Sequence, residues 1–128
     1  MSKKINRAVI VEDSFPMQNL IQIVLRSIGT EDIVVVNNGV ECLNALQLNK
    51  VDIVVMDWNM PVMDGIECTR IIRSGLYAID KNMPIVLLTA NAERSEEAYD
   101  AGVNVYIEKP FSLKSLHDGI SAIVLDCM

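Results

Sequence analysis

Short blocks of Val, Ile and Leu recur along the chain, and between them apolar residues return every three or four positions. The blocks occupy residues 8–11, 33–36, 51–56, 84–88 and 103–107. Runs this short and this rich in β-branched residues predict strands. In the first interval Leu20, Ile21, Val24, Leu25 and Ile28 share one helical face, and in the last Leu113, Leu116, Ile120, Ile123 and Val124 do the same. Val40, Leu43 and Leu46 mark a helix that Asn38 opens, with Glu41 three residues on. Ile66, Thr69 and Ile72 mark another, opened by Asp64 with Glu67 in the same relation. Both starts have the form of a capping box. Residues 92–101 hold Glu93, Arg94, Ser95, Glu96 and Glu97 ahead of Tyr99, so this helix has a thin packing face and is the one expected to shift most freely.

Strand and helix therefore alternate five times, with short connections. Strands that are apolar almost throughout belong in a parallel sheet covered on both faces. The expected class is α/β: a doubly wound five-stranded parallel sheet with five helices. The length of 128 residues fits one domain over 1–128, with neither internal repeat nor linker.

Composition narrows the partners. With 51% hydrophobic and 22% charged residues the chain reads as packed and globular. A formal charge of −6 disfavours a nucleic-acid surface, which needs clustered Lys and Arg. The apolar runs are too short to span a membrane, and MSKKINR has no apolar signal segment, so a cytoplasmic protein is expected. The three cysteines, Cys42, Cys68 and Cys127, lack metal-binding spacing and read as reduced thiols.

The apolar run at 51–56 stops at Asp57, and a carboxylate there needs a reason. In an open parallel sheet, the loops leaving the carboxyl ends of the strands form the ligand crevice. Glu12 and Asp13 follow the first run, Asp57 the third, Thr89 the fourth, and Glu108, Lys109 and Pro110 the fifth. Any one of these alone is an ordinary cap or solvated turn. Three carboxylates gathered together, however, repel one another unless a cation sits among them. An all-oxygen donor set suits Mg²⁺, which takes one or two carboxylates and shares its other positions with water and phosphate. Lys109 and the Thr89 hydroxyl can then contact phosphoryl oxygens, leaving Asp57 free to act as a nucleophile.

Glu12-Asp13, then Asp57 with Met60-Pro61 and Asp64-Gly65, then Thr89-Ala90, and finally Lys109-Pro110-Phe111 resemble the receiver domain of two-component response regulators. The segment DWNMPVMDG is similar in particular to the single-domain, CheY-like chemotaxis type. The resemblance covers essentially the whole chain and implies the strand order 2-1-3-4-5. It implies that Asp57 accepts a phosphoryl group from a sensor histidine kinase or a histidine phosphotransfer protein. Mg²⁺, or Mn²⁺ in its place, would sit on Asp13, Asp57 and the Asn59 backbone carbonyl, with Glu12 reaching it mainly through water. Thr89 and Lys109 would contact the phosphoryl group, Tyr106 would be the aromatic switch position, and Asn59 and Asn91 would flank the hydrolytic water. The fourth helix, fifth strand and fifth helix would form the face that reads out to a downstream protein. Tyr106 stands three residues before Lys109, so on a strand it points to the opposite face, toward the thin fourth helix. Glu12 departs from the commoner Asp-Asp pair. The implied protein is a monomeric signalling switch rather than an enzyme, acting on itself alone.

Two other classes fit the residues less well. A phosphoaspartyl phosphatase of the haloacid dehalogenase type needs its nucleophile after the first strand and a second aspartate two residues on, where this chain has Asn59. An amide transfers no proton at neutral pH. A flavodoxin-like carrier needs a phosphate loop where Glu12 and Asp13 stand, and those charges would repel an anionic cofactor. The sole histidine, His117, lies between polar neighbours in the last helix, so a phosphodonor must come from outside. A receiver excised from a larger hybrid kinase or regulator would carry the same motifs.

Overall fold

The computed structural model describes residues 5–90 and 92–126, so Asn91, Cys127 and the Val124 side chain lie outside the described residues. The strands are β1 (Arg7–Val11), β2 (Asp32–Val36), β3 (Ile53–Asp57), β4 (Ile85–Thr89) and β5 (Val105–Glu108). The helices are α1 (Phe15–Ser27), α2 (Gly39–Leu48), α3 (Gly65–Ser74), α4 (Ser95–Ala101) and α5 (Leu113–Asp126), with short 3-10 turns at Leu76–Ala78 and Ala92–Arg94. All pairings are parallel and the sheet order is β2-β1-β3-β4-β5. Both the doubly wound class and the implied order hold.

Alternation along each strand divides the core in two. Val9, Val11, Val54, Met56, Ile85 and Leu87 face α2, α3 and α4 through Cys42, Leu46, Cys68, Ile72, Ala98 and Ala101. Ala8, Ile10, Ile53, Val55, Val86 and Leu88 face α1 and α5 through Ile21, Leu25, Leu116 and Ile120. Each fully buried Leu or Ile contributes roughly 1.5–3 kcal/mol to folding. The central strands β3 and β4 are buried at every position. Continuous burial does not extend to the margins: β2 and β5 lie at the sheet edges, and Val35 and Val105 are only partly covered. Cys42 and Cys68 are free, buried thiols of the first core layer.

The strand limits differ from the apolar runs in one informative way. Three strands start one or two residues later than the runs and extend one residue further, so that Asp57, Thr89 and Glu108 are the last ladder residues rather than the first loop residues. A polar residue at the end of a buried strand keeps its backbone pairing while its side chain reaches the crevice. Asp57 and Thr89 thereby inherit the rigidity of the sheet, with Asp57 in register with Leu88 and Thr89 with Glu108.

The helix starts follow the capping signals. Asn38 Oδ1 accepts the Glu41 N–H at 2.9 Å, and Asp64 Oδ1 accepts the Glu67 N–H at 2.8 Å. The Glu41 carboxylate returns to the Asn37 N–H, one residue before the position that a reciprocal box would use. Pro16 supplies the first turn of α1, where its missing N–H costs nothing. Helix α4 is the weak member: seven residues long, with no side-chain cap and only Ala98 and Ala101 buried. Among the described residues no helix is long and apolar enough to cross a membrane.

Candidate functional site

The carboxyl edge of the sheet gathers the polar strand ends into one crevice. Glu12, Asp13 and Asp57 each present an oxygen within 4.8 Å of the others. Glu12 and Asp57 are buried, at 1% and 7% exposure, while Asp13 faces solvent. Sheet position explains this: Glu12 continues β1 with its N–H on the Val36 carbonyl, at 3.1 Å, and Asp57 ends the central strand.

Lys109 completes the cluster. Its ammonium lies 3.3 Å from Asp57 Oδ1 and 3.6 Å from Glu12 Oε2. Its backbone N–H donates to the Thr89 carbonyl at 2.6 Å, which fixes the β5–α5 connection to the end of β4; the Lys109–Pro110 peptide is cis. The net arrangement is three carboxylates against one ammonium. Glu12 shows the consequence. Burial first, then the nearby Asp57 charge, push its carboxyl above the ordinary value, with the Ser14 N–H and Lys109 only partly opposing them. Its Oε1 accepts the Ser14 N–H at 3.1 Å, but its Oε2 is buried without a hydrogen-bond partner.

A buried carboxylate oxygen lacking a donor, beside two more carboxylates, is what a hard cation satisfies. The donor set fits Mg²⁺. The sign of the pH dependence follows from the same fact. A carboxyl whose folded pKa is raised favours the fold when protonated, so this contribution is fully present below the ordinary value of 4.5 and is lost as pH rises through the folded value. At neutral pH in chelator, Glu12→Gln is therefore expected to stabilise the protein by about 1–3 kcal/mol, the usual penalty for an unsatisfied buried polar group. It should also reduce the stabilisation that added Mg²⁺ gives. Urea titration with and without Mg²⁺ checks both, and a destabilised metal-free variant would contradict this electrostatic account.

The loop after β3 is held close to its strand. The Trp58 N–H donates to the Leu88 carbonyl and the Gly65 N–H to the Trp58 carbonyl, both at 2.8 Å. A side chain at 65 would put its Cβ 2.8 Å from the Asp57 carbonyl and 3.0 Å from the Trp58 Cα, so only glycine permits this approach. At the loop's outer tip the Met63 N–H reaches the Pro61 carbonyl at 2.8 Å across Val62, whose φ is 72°. That is a γ-turn with a strained centre. Asn59 stands exposed on this loop, two residues from Asp57.

Thr89 is buried at the end of β4, and its side chain is hydrogen-bonded to that of Tyr106. Tyr106 packs on the core layer beneath α4, with its ring centroid 6.3 Å from that of Tyr99. Its neighbour Ile107 belongs to the opposite layer. Burial, followed by the Glu108 charge, raises the Tyr106 pKa, keeping the phenol protonated at neutral pH. His117 stands half exposed on α5 beside Asp118, 3.7 Å away.

The crevice thus contains Glu12, Asp13, Asp57 and Lys109, with Thr89 at its edge and Tyr106 behind Thr89. Two contacts at its margin are not foreshadowed in the sequence. The Arg94 guanidinium carbon lies 4.0 Å from the centroid of the Trp58 ring, and the Gln18 amide donates to the Glu12 carbonyl at 2.5 Å. Neither contact leaves a periodicity or spacing signal.

Comparison with known proteins agrees with this geometry. The chain is 35% identical over 119 residues to the chemotaxis protein CheY of Pseudomonas aeruginosa, covering 91% of this chain and 94% of that protein. It is equally identical to CheY-3 of Vibrio cholerae, covering 91% of this chain and 90% of that one. Among solved structures, a response regulator of Chloroflexus aurantiacus superposes with a TM-score of 0.84 at 26% identity, over 95% of this chain and 99% of its own. The receiver domain of the sensor histidine kinase PA1611 of Pseudomonas aeruginosa, which holds a magnesium ion in its active site cleft, superposes with a TM-score of 0.76 at 30% identity, over 95% of this chain and 96% of its own. The response regulator receiver domain model matches residues 8–121. Placed on a 2-1-3-4-5 parallel sheet with its acidic residues at the carboxyl edge, the chain belongs to the response regulator receiver domain family.

Proposed function

We propose that this protein is a phosphorylation-dependent switch in which Asp57 accepts a phosphoryl group from a histidine on a sensor histidine kinase or histidine phosphotransfer protein. The observation that carries the reading is the convergence of Asp57 with Glu12 and Asp13 within 4.8 Å, and with the Lys109 ammonium at 3.3 Å. Mg²⁺, for which Mn²⁺ can substitute, would be held by Asp13, Asp57 and the Asn59 carbonyl, with Glu12 acting through water. When bound it neutralises charge on the phosphoryl oxygens and the carboxylates.

The remaining work falls to the chain itself. An Asp57 oxygen forms the new P–O bond as the donor's P–N bond breaks, giving an acyl phosphate. Lys109 is already within reach of that oxygen and can pair a phosphoryl oxygen. Thr89, turning to donate its hydroxyl to the new group, gives up its bond with Tyr106, whose ring then moves against the thinly packed α4. The surface of α4, β5 and α5 changes with it, and a downstream protein reads that change. Coupling of this kind is typically about 1–3 kcal/mol, several-fold to a hundredfold in partner affinity. Asn59 and Asn91 can orient a water but cannot deprotonate it, so self-dephosphorylation is slow. The chemotaxis proteins among the relatives support a chemotaxis-type, cytoplasmic role.

Trp58 is the sole tryptophan and follows Asp57 directly. Its emission is expected to change when Mg²⁺ is added, to change again with a small acyl phosphate, and to recover on chelation followed by hydrolysis. A signal indifferent to both additions would contradict the proposed site. Amide exchange with beryllofluoride, a phosphoryl mimic, tests the output face. Altered protection across α4 and β5 is the expected result, and a response confined to α1 or α2 would move the face elsewhere.

A further inference from the structure

Arg94 joins Trp58 to the first turn of α4. On one side its guanidinium covers the face of Trp58 at 4.0 Å, within cation–π range. On the other its Nε and Nη2 donate to the two Glu97 carboxylate oxygens, each at 3.1 Å, in a fork–fork pair. Glu97 belongs to the first turn of α4, and Trp58 is held through its backbone to β4 and to the start of α3. The planar guanidinium thus ties the weakly held end of α4 to the residue next to the phosphoacceptor.

The two ends of α4 are held very differently. At its C-terminal end Arg73 of α3 donates to the Gly102 carbonyl at 2.9 Å, to Asn104 Oδ1 at 2.9 Å and to the Lys81 carbonyl at 2.8 Å. Asn104 in turn accepts the Ile85 N–H at 2.8 Å, so that end is bound to α3, β4 and β5 together. The N-terminal end lacks a side-chain cap, and its first buried residue is Ala98. A helix fixed at one end pivots at the other.

We infer that Arg94 is the positioning residue of the switch: its stack on Trp58 holds the first turn of α4 in the unphosphorylated position, and phosphorylation at Asp57 releases it. The inference rests on the phosphoacceptor reading above. Phosphorylation adds about 1.5–2 negative charges next to Trp58. The guanidinium is drawn toward that charge and away from the ring, and through its fork on Glu97 the first turn of α4 follows. This route runs beside the hydrogen bond between Thr89 and Tyr106 and uses different residues, so each can be removed without the other.

The test is amide exchange over residues 93–99 in the wild type, Arg94→Ala and Arg94→Lys, each with and without beryllofluoride and Mg²⁺, with bound mimic quantified in every sample. Without the mimic, Arg94→Ala is expected to exchange about two- to thirtyfold faster than the wild type over this segment, as loss of one cation–π contact predicts. Arg94→Lys, which keeps the charge but loses the planar fork, should fall between them. Adding the mimic should accelerate the wild type and leave Arg94→Ala little changed, because its helix start is already free. Unchanged exchange in unliganded Arg94→Ala would overturn the proposal. So would faster exchange in both states with the mimic-induced increment intact, since that is how a simple anchor behaves. A wild type that binds no mimic would refute the phosphoacceptor reading, whereas the unliganded comparison would still decide whether Arg94 holds the helix.

Discussion

Asp57→Asn is expected to lower phosphoryl uptake from a small acyl phosphate at least about a hundredfold, to background, while leaving the fold intact. The amide has the shape of the carboxylate but supplies no anionic nucleophile, and no other carboxylate can take over. Glu12 has the Lys109 ammonium 3.6 Å away, but it is buried and its pKa is raised; Asp13 is exposed and not part of a strand. Stability should not suffer. Removing one of three clustered carboxylates relieves repulsion on Glu12, so the metal-free variant is expected to be at least as stable as the wild type. Lys109→Ala provides the contrast: the nucleophile remains but the ammonium that meets the incoming charge is gone, and uptake should fall by about a hundredfold, as when one preorganised electrostatic donor is lost. Label incorporation at matched Mg²⁺ distinguishes these variants. Full uptake by Asp57→Asn would mean that the nucleophile is elsewhere.

Gly65→Ala should damage fold and site together. Its Cβ would lie 2.7 Å from Leu87 Cδ1, 2.8 Å from the Asp57 carbonyl and 3.0 Å from the Trp58 Cα. Leu87 can adjust its rotamer, but the other two contacts are backbone of the segment that carries Asp57. Overpacking of this sort costs about 1–3 kcal/mol. Relief requires the chain at Asp57 to shift, and a displacement near 1 Å at a reacting group can cost about a hundredfold in rate. Gly75→Ala is the control. Gly75 has φ +79°, and a methyl group added there would meet nothing within 4 Å, so only the left-handed backbone resists alanine. A loss of stability with uptake preserved is expected. If Gly65→Ala matches Gly75→Ala in both measurements, the close approach of α3 to the site has no functional weight.

How much of the fold and site is legible in the sequence follows from how local each signal is. Val9 to Val11, Val54 to Met56 and Ile85 to Leu88 announce buried strands because every side chain there is apolar, and periodicity alone carries that information. Asn38 and Asp64 announce helix starts because the cap acts on a backbone N–H only three residues away. The apolar runs place three strand ends one residue short, because each run stops before Asp57, Thr89 or Glu108 whereas the ladder continues through them. The half exposure of edge strand β2 is not legible, since Val34 and Val35 look like core valines until the sheet order is known. The order itself comes from family resemblance and not from pattern. The least legible contacts are those of long side chains between distant segments. Nothing local in the sequence says that Arg94 will lie on Trp58, or that Arg73 will bind Gly102 and Asn104. The thin α4 is visible as a run of charged residues, but what holds each of its ends is not.

The central claim is that Asp57 is the phosphoacceptor and that a divalent ion in the Glu12, Asp13 and Asp57 cluster supports its phosphorylation. Site mapping by tandem mass spectrometry tests it most directly, on wild-type protein treated with a small acyl phosphate in Mg²⁺ or in chelator. The expected result is a single base-labile phosphoryl group on Asp57, present with Mg²⁺ and largely absent in chelator. A phosphoryl group on His117 or on Asp13, or one on Asp57 that forms equally well in chelator, would contradict the account.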